Sequence, residues 1–184
     1  MNGIRATTDK IAQRAFFAAL ALVAGCSGPI ETRIASAGDG VPGNASVAIR
    51  PYDMSIPHAD WITARDAIKA TLAEKGHAIA DASPLAMDIA VSARPAVTGV
   101  AGANGQAVSP VKPHRLLQSC RDQVYRLVVV VVDSASGRLL YRGSAEEYHC
   151  KARLADTLAA LSSRALADID HPGSNRTETR AGIE

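Results

Sequence analysis

Aromatic residues make up only 4% of this 184-residue chain, so its core has to be built from aliphatic side chains and alanine. Charge of one sign is also missing. The formal net charge is +2, and residues 1–25 account for it through Arg5, Lys10 and Arg14 against Asp9. From residue 26 onward, 17 Lys and Arg face 17 Asp and Glu. A neutral body carries no electrostatic footprint for nucleic acid, and that partner class is set aside. No apolar run reaches the roughly 20 residues that a membrane-spanning helix needs. Clustered metal ligands are lacking as well, because His58, His77, His114, His149 and His171 are dispersed with no pair at helical ligand spacing. Neither a metal nor another cofactor is expected.

Motifs for catalysis are equally thin. Ser109-Pro-Val-Lys112 has the Ser-x-x-Lys spacing used by penicillin-binding enzymes. Pro110 and Pro113 deny it the helix start that such a motif occupies, and no companion motif follows. Gly99, Gly102 and Gly105 are wrongly spaced for a dinucleotide loop and lack its strand–helix context. Glu146 and Glu147 are adjacent, so on a strand they face opposite sides and cannot share a cleft as an acid/base pair. The chain reads as a non-enzyme, with a hydrolase built on Ser109 or a His/Glu pair as the remote alternative.

What is present begins with an address. Residues 1–14 are polar and net positive, and Ala15 to Ala24 is an apolar run of ten, too short to span but suited to a signal-peptide core. It ends in Val23-Ala24-Gly25-Cys26, which resembles the lipobox of bacterial lipoproteins. That resemblance implies removal of residues 1–25, lipidation of Cys26 (palmitate among the acyl chains) and a membrane anchor. It also implies, from Ser27 rather than Asp after the cysteine, delivery to the periplasmic side of the outer membrane. Residues 26–44, rich in Gly, Ser, Ala and Pro, are expected to form a flexible tether. A tether of about 18 residues spans roughly 20–25 Å.

The rest is organised around a long hairpin. Val124 to Val132 is almost continuously apolar, Asp133-Ser-Ala-Ser-Gly137 is a turn signal, and Arg138 to Tyr148 returns. A pairing axis at residue 135 brings Cys120 opposite Cys150 to within about one residue of register, inside disulfide range. Export from the cytoplasm permits the bond. A metal site from Cys120, His149 and Cys150 is disfavoured, since His149 and Cys150 are neighbours on a strand and point apart.

In chain order, Ala45–Asp53 alternates as a strand. Asp60 caps a helix from Trp61 to Lys75, with an apolar stripe of Trp61, Ala64, Ala67, Ile68, Thr71 and Leu72 and Gly76 as its stop. His77–Ala80 is a short strand and Ala86–Ala93 a firmer one. The Gly/Pro-rich stretch 95–115 has no period and reads as a long loop, mobile or partner-binding. Ala152 to Asp170 carries Leu154, Leu158, Leu161, Ala165 and Ile169 at helical spacing, and residues 173–184 read as a disordered tail.

These elements predict one α+β domain over 45–172. Its single mixed, mostly antiparallel sheet, in β-α-β-β-β-α order, has two helices packed on one face. Because the central strand is apolar on both faces, one face is left needing a cover. Tyr125, Leu127, Val129 and Val131 of that strand, with Tyr141, are the candidate contact residues for a partner or a lipid.

Lys75-Gly76, Ala86-Met87-Asp88-Ile89, Asp133, Ser136-Gly137-Arg138, Tyr141-Arg142-Gly143 and Pro172 together resemble the envelope lipoproteins of domain-of-unknown-function family 4136. Tyr141 stands where that family has Trp, and the Gly/Pro loop and the cysteine pair are additions. The resemblance implies an outer-membrane or periplasmic accessory protein and supplies no catalytic residues. The expected function is a lipid-anchored, non-catalytic scaffold or partner-binding module of the envelope. The alternative is a carrier of lipid or another small hydrophobe.

Overall fold

The computed structural model describes residues 29–51, 58–113 and 120–181. The proposed signal peptide, Cys26 and Ser27 lie outside them, as do His114 and the last three residues of the tail. Among the described residues, nine strands and two helices are formed. In chain order they are β1 (Ile30–Ala37), β2 (Ser46–Ile49), α1 (His58–Glu74), β3 (Ala78–Ile79), β4 (Leu85–Pro95), β5 (Val100–Ala101) and β6 (Ala107–Ser109). There follow β7 (Gln123–Asp133), β8 (Leu139–His149), α2 (Leu154–Ala165) and β9 (Asn175–Arg180). Seven strands make one mixed sheet in the order β3-β2-β4-β7-β8-β1-β9, while β5 and β6 pair separately as a small hairpin. The fold is α+β.

The predicted hairpin is its centre. β7 and β8 pair antiparallel from Gln123↔His149 to Val131↔Tyr141, with a bulge before Val132↔Leu139. Asp133 shapes the turn, its Oδ1 accepting from the amides of Ala135 and Ser136 at 2.9 Å each. Gly137 closes it at φ +71°, a conformation that costs glycine little. β4 runs antiparallel to β7 along its whole length, from Leu85↔Asp133 to Pro95↔Gln123.

Both helices lie on one face. α1 and α2 pack on each other, α1 against β4 and α2 against β7 and β8. The stripe expected on α1 is the one buried, with Ala64, Ile68 and Leu72 inaccessible, and Gly76 follows the helix at φ +82°. α2 buries Leu158, Leu161 and Ala165, and Leu166 and Ile169 continue that core beyond its C-terminus. α2 is therefore shorter than the expected 152–170; the chain turns on after Ala165, and Ile169 is buried from a turn.

Asp60 does not cap α1, which begins at His58 and carries Asp60 within its first turn. Three larger expectations fail, each for a stated reason. Residues 26–44 are not a tether throughout. Ile30–Ala37 is a strand between β8 and β9, with Ile30, Thr32, Ile34 and Ser36 buried at every second position. Two of those four are hydroxyl residues, which kept the alternation from reading as apolar. Residues 173–184 are not simply a tail. Asn175–Arg180 adds an edge strand antiparallel to β1, from Ala35↔Asn175 to Ile30↔Arg180. Its sequence, Asn-Arg-Thr-Glu-Thr-Arg, is polar at every position, and its pairing comes from the backbone and from ion pairs. The stretch 95–115 is not structureless in its described part, since β5 and β6 pair within it around Gly105 at φ +76°.

Candidate functional site

The sequence-predicted contact residues are the first to place. Leu127, Val129, Val131 and Tyr141 are fully buried, and Tyr125 nearly so. They share a cluster with Met87, Ile68, Leu72, Leu158 and Leu161. This face of β7 is the one the helices cover, so the five residues are core and not a contact surface. The parity was misjudged because a strand apolar on both faces does not say which face the helices take. The face left open carries Arg126, Val128, Val130 and Val132, all half-buried, beside exposed Ala90 and Ser92 on β4.

Tyr141 has a specific job there. Its hydroxyl donates to the Ala165 carbonyl at 2.5 Å, tying β8 to the end of α2. Burial raises its pKa far above the usual phenol range. Gly143 lies under that ring. A Cβ at Gly143 would collide with the Ala165 carbonyl oxygen and the Tyr141 hydroxyl, so no other residue fits without displacing α2.

Most of the functional-looking chemistry collects at one end of the sheet, where β1 begins and β8 ends. Cys120 and Cys150 are joined there as a disulfide, Cα atoms 5.6 Å apart. The register pairs Gln123 with His149, so Cys150 would face residue 122, two residues from Cys120 rather than one. The bond closes beyond the strand ends, where the chain bends.

On the helix-covered side of this end, Glu147 and His149 point the same way because they are two residues apart on a strand. Glu147 is completely buried. It accepts from Thr32 Oγ1 at 2.6 Å, His149 Nε2 at 2.8 Å, Arg180 Nη2 at 2.8 Å and Arg180 Nε at 3.1 Å. Burial by itself would raise the Glu147 pKa. The hydrogen bonds from His149, Arg180 and Thr32 outweigh it and hold the pKa down at about 2. His149 stacks on Tyr125 with ring centroids 5.4 Å apart, and the Tyr125 hydroxyl donates to the Ala152 carbonyl at 2.8 Å. The His149 Nδ1 is buried without a hydrogen-bond partner among the described residues. The network joins β1, β8 and β9 through one carboxylate, with the His149 and Glu147 side chains at 1% or less exposure. The sequence signal for it was the i, i+2 spacing of Glu147 and His149.

The opposite side of the same end is held by Tyr148. Its hydroxyl donates to the Pro110 carbonyl at 3.0 Å. The Arg33 guanidinium and the Lys112 ammonium lie 5.5 and 5.1 Å from its ring centre. Glu146 is buried between Arg33 and Arg126, each 3.9 Å away. The hairpin 96–113 is thereby docked against the sheet. The Ser-x-x-Lys residues are engaged elsewhere: Ser109 Oγ accepts from Arg94, and Lys112 pairs with Asp122 at 2.8 Å.

Of the other histidines, His77 is buried, with Nε2 on Asp170 at 2.9 Å and Nδ1 on the Ala45 carbonyl at 3.2 Å. His171 is exposed in the turn after α2. Among the described residues no group of three or more His, Cys, Asp or Glu side chains could hold a metal ion, and no helix is long and apolar enough to cross a membrane.

No family model matches the chain, and no curated protein matches it significantly. Solved structures do resemble it in shape. A PDZ domain protein from Parabacteroides distasonis superposes with a TM-score of 0.57 at 13% identity, over 83% of this chain and 39% of its own. This chain thus spans well under half the length of that protein. The PelC dodecamer from Paraburkholderia phytofirmans is similar at a TM-score of 0.49 and 11% identity, covering 77% of this chain and 99% of PelC. A point variant of the PelC dodecamer, in another space group, gives 0.44 at 11% identity. The first similarity is one of fold.

Proposed function

We propose that this chain is a lipoprotein held on the periplasmic side of the outer membrane, serving the cell envelope as a non-catalytic accessory or partner-binding module. One observation carries the reading. A basic start, a ten-residue apolar run and small residues before Cys26 stand only four residues ahead of the first strand at Ile30. The Cys120–Cys150 disulfide supports residence outside the reducing cytoplasm. The short motifs shared with domain-of-unknown-function family 4136 belong to the same proposal. Tyr141-Arg142-Gly143 has a physical reason in it, since the tyrosine and the glycine are matched to each other and to α2.

With Tyr125, Leu127, Val129, Val131 and Tyr141 in the core, the surfaces left for contact are the helix-free sheet face and the hairpin 96–113. Intact mass of the membrane-extracted protein under non-reducing conditions tests the anchor. A chain starting at an acylated Cys26, two hydrogens lighter than the dithiol, is expected, and an unprocessed chain with free thiols would end the proposal. Crosslinking in cells tests the role: a reproducible envelope protein adduct is expected, and repeated absence of any adduct removes the accessory assignment.

A further inference from the structure

Five large apolar side chains are exposed among the described residues, and four are in one short segment. Val97, Val100, Val108 and Val111 are 42–61% exposed, all on the hairpin that carries β5 and β6. From Pro95 to Pro113 the only charged residue is Lys112, and its ammonium is turned back onto Asp122 and the Tyr148 ring. The segment therefore presents a charge-free, valine-tipped surface, which water does not favour.

Its position in the sheet gives that surface a direction. Thr32 of β1 faces Glu147, Gln123 faces His149, and Pro95 faces Gln123. The hairpin thus leaves the sheet at the end where β1 begins. Only three residues separate Ile30 from Cys26, and the four backbone steps between them reach at most about 14 Å even when fully extended. The fifth exposed residue, Leu139, opens the 11-residue β8 and so lies about 33 Å from this end.

The geometry points to the hairpin 96–113 as a second membrane contact, inserting its valines into the phospholipid surface that carries the anchor. The inference rests on the lipoprotein reading, because Cys26 is what brings this end to the bilayer. An acyl anchor holds more firmly when a second contact shares the load, and exposed apolar side chains at the headgroup boundary supply one.

Depth-dependent quenching tests it. Acylated full-length protein is reconstituted into phosphatidylethanolamine/phosphatidylglycerol vesicles with brominated acyl chains, as Val108→Trp and as Leu139→Trp. Wild type, whose one tryptophan is Trp61, supplies the background. Quenching of the tryptophan introduced by Val108→Trp, by about two-fold or more, is expected, with Leu139→Trp unaffected. An unquenched Val108→Trp in protein whose mass confirms an acylated Cys26 overturns the contact and leaves the lipoprotein reading standing. Quenching of Leu139→Trp instead reverses the orientation and overturns it too. A blue-shifted, unquenched Val108→Trp in a crosslinkable dimer means that a second copy covers the hairpin, again overturning it. Absence of acyl mass on Cys26 removes the lipoprotein reading, and this inference with it.

Discussion

β7 puts the same kind of residue on both sides of one sheet with opposite outcomes. Leu127, Val129 and Val131 are inaccessible beneath the helices, while Val128, Val130 and Val132 on the other side stay half-exposed. Sequence pattern cannot separate the two sets, because alternation has no preferred parity. The helices choose, through the side chains of α1 and α2 and through Tyr141, whose hydroxyl reaches Ala165 only from one side. A strand that looks ready for two partners has one already, inside its own chain.

Substitution should expose that asymmetry most sharply. Leu127→Ala is expected to cost about 3–5 kcal/mol in urea unfolding, whereas Val130→Ala on the open face costs below about 1 kcal/mol. Equal costs would mean that the open face is covered too. Gly143→Ala tests the contact that sets the parity. A loss of about 3 kcal/mol is expected from overpacking against Ala165 and Tyr141, with the Tyr141→Phe,Gly143→Ala double variant recovering part of it. No recovery would show that the clash is with the Ala165 carbonyl and the ring itself rather than the hydroxyl.

Two further predictions concern the end of the sheet where the faces differ in polarity. Reducing the Cys120–Cys150 bond, or replacing Cys150 by Ser, should lower stability by about 3 kcal/mol, because the closed loop of 30 residues is then freed in the unfolded chain. Acid acts through Glu147. Its pKa is depressed from 4.5 to about 2 in the folded state. Its stabilising contribution is therefore whole above pH 4.5 and is lost as pH falls toward 2. That loss approaches about 3 kcal/mol. Urea midpoints at pH 7 and pH 3 should diverge in the wild type and much less in Glu147→Gln. A variant with the same acid sensitivity would move the effect to another carboxylate, such as Asp168, which is also depressed.

Legibility followed the apolar pattern closely and stopped where it stopped. The helix stripes, the β7–β8 hairpin and the disulfide partners were all readable, since each rests on apolar spacing or on cysteine positions. β9 was not, because no position in Asn175–Arg180 is apolar. What holds it is backbone pairing to β1 together with Arg180 on Glu147 and Arg176 on Asp168 at 2.7 Å. The Glu147–His149 pair was visible only as a spacing. That the pair is buried and tied to two further strands came from Thr32 and Arg180, contributed by strands distant in sequence.

The amino-acid order by itself determined the local pieces: which of the apolar-patterned stretches are helix or strand, where the central hairpin turns, which cysteines can meet, and the N-terminal pattern that suggests an anchor. Tertiary structure decided the rest. It selected the covered face of β7, drew Ile30–Ala37 and Asn175–Arg180 into the sheet, and set the valine-tipped hairpin at the end where β1 begins. The reason is physical. Local choices depend on side-chain period and turn chemistry within a few residues. Parity, edge pairing and orientation depend on contacts between residues about 100 or more apart, such as Thr32 with Glu147 and Ile30 with Arg180, which no local pattern encodes.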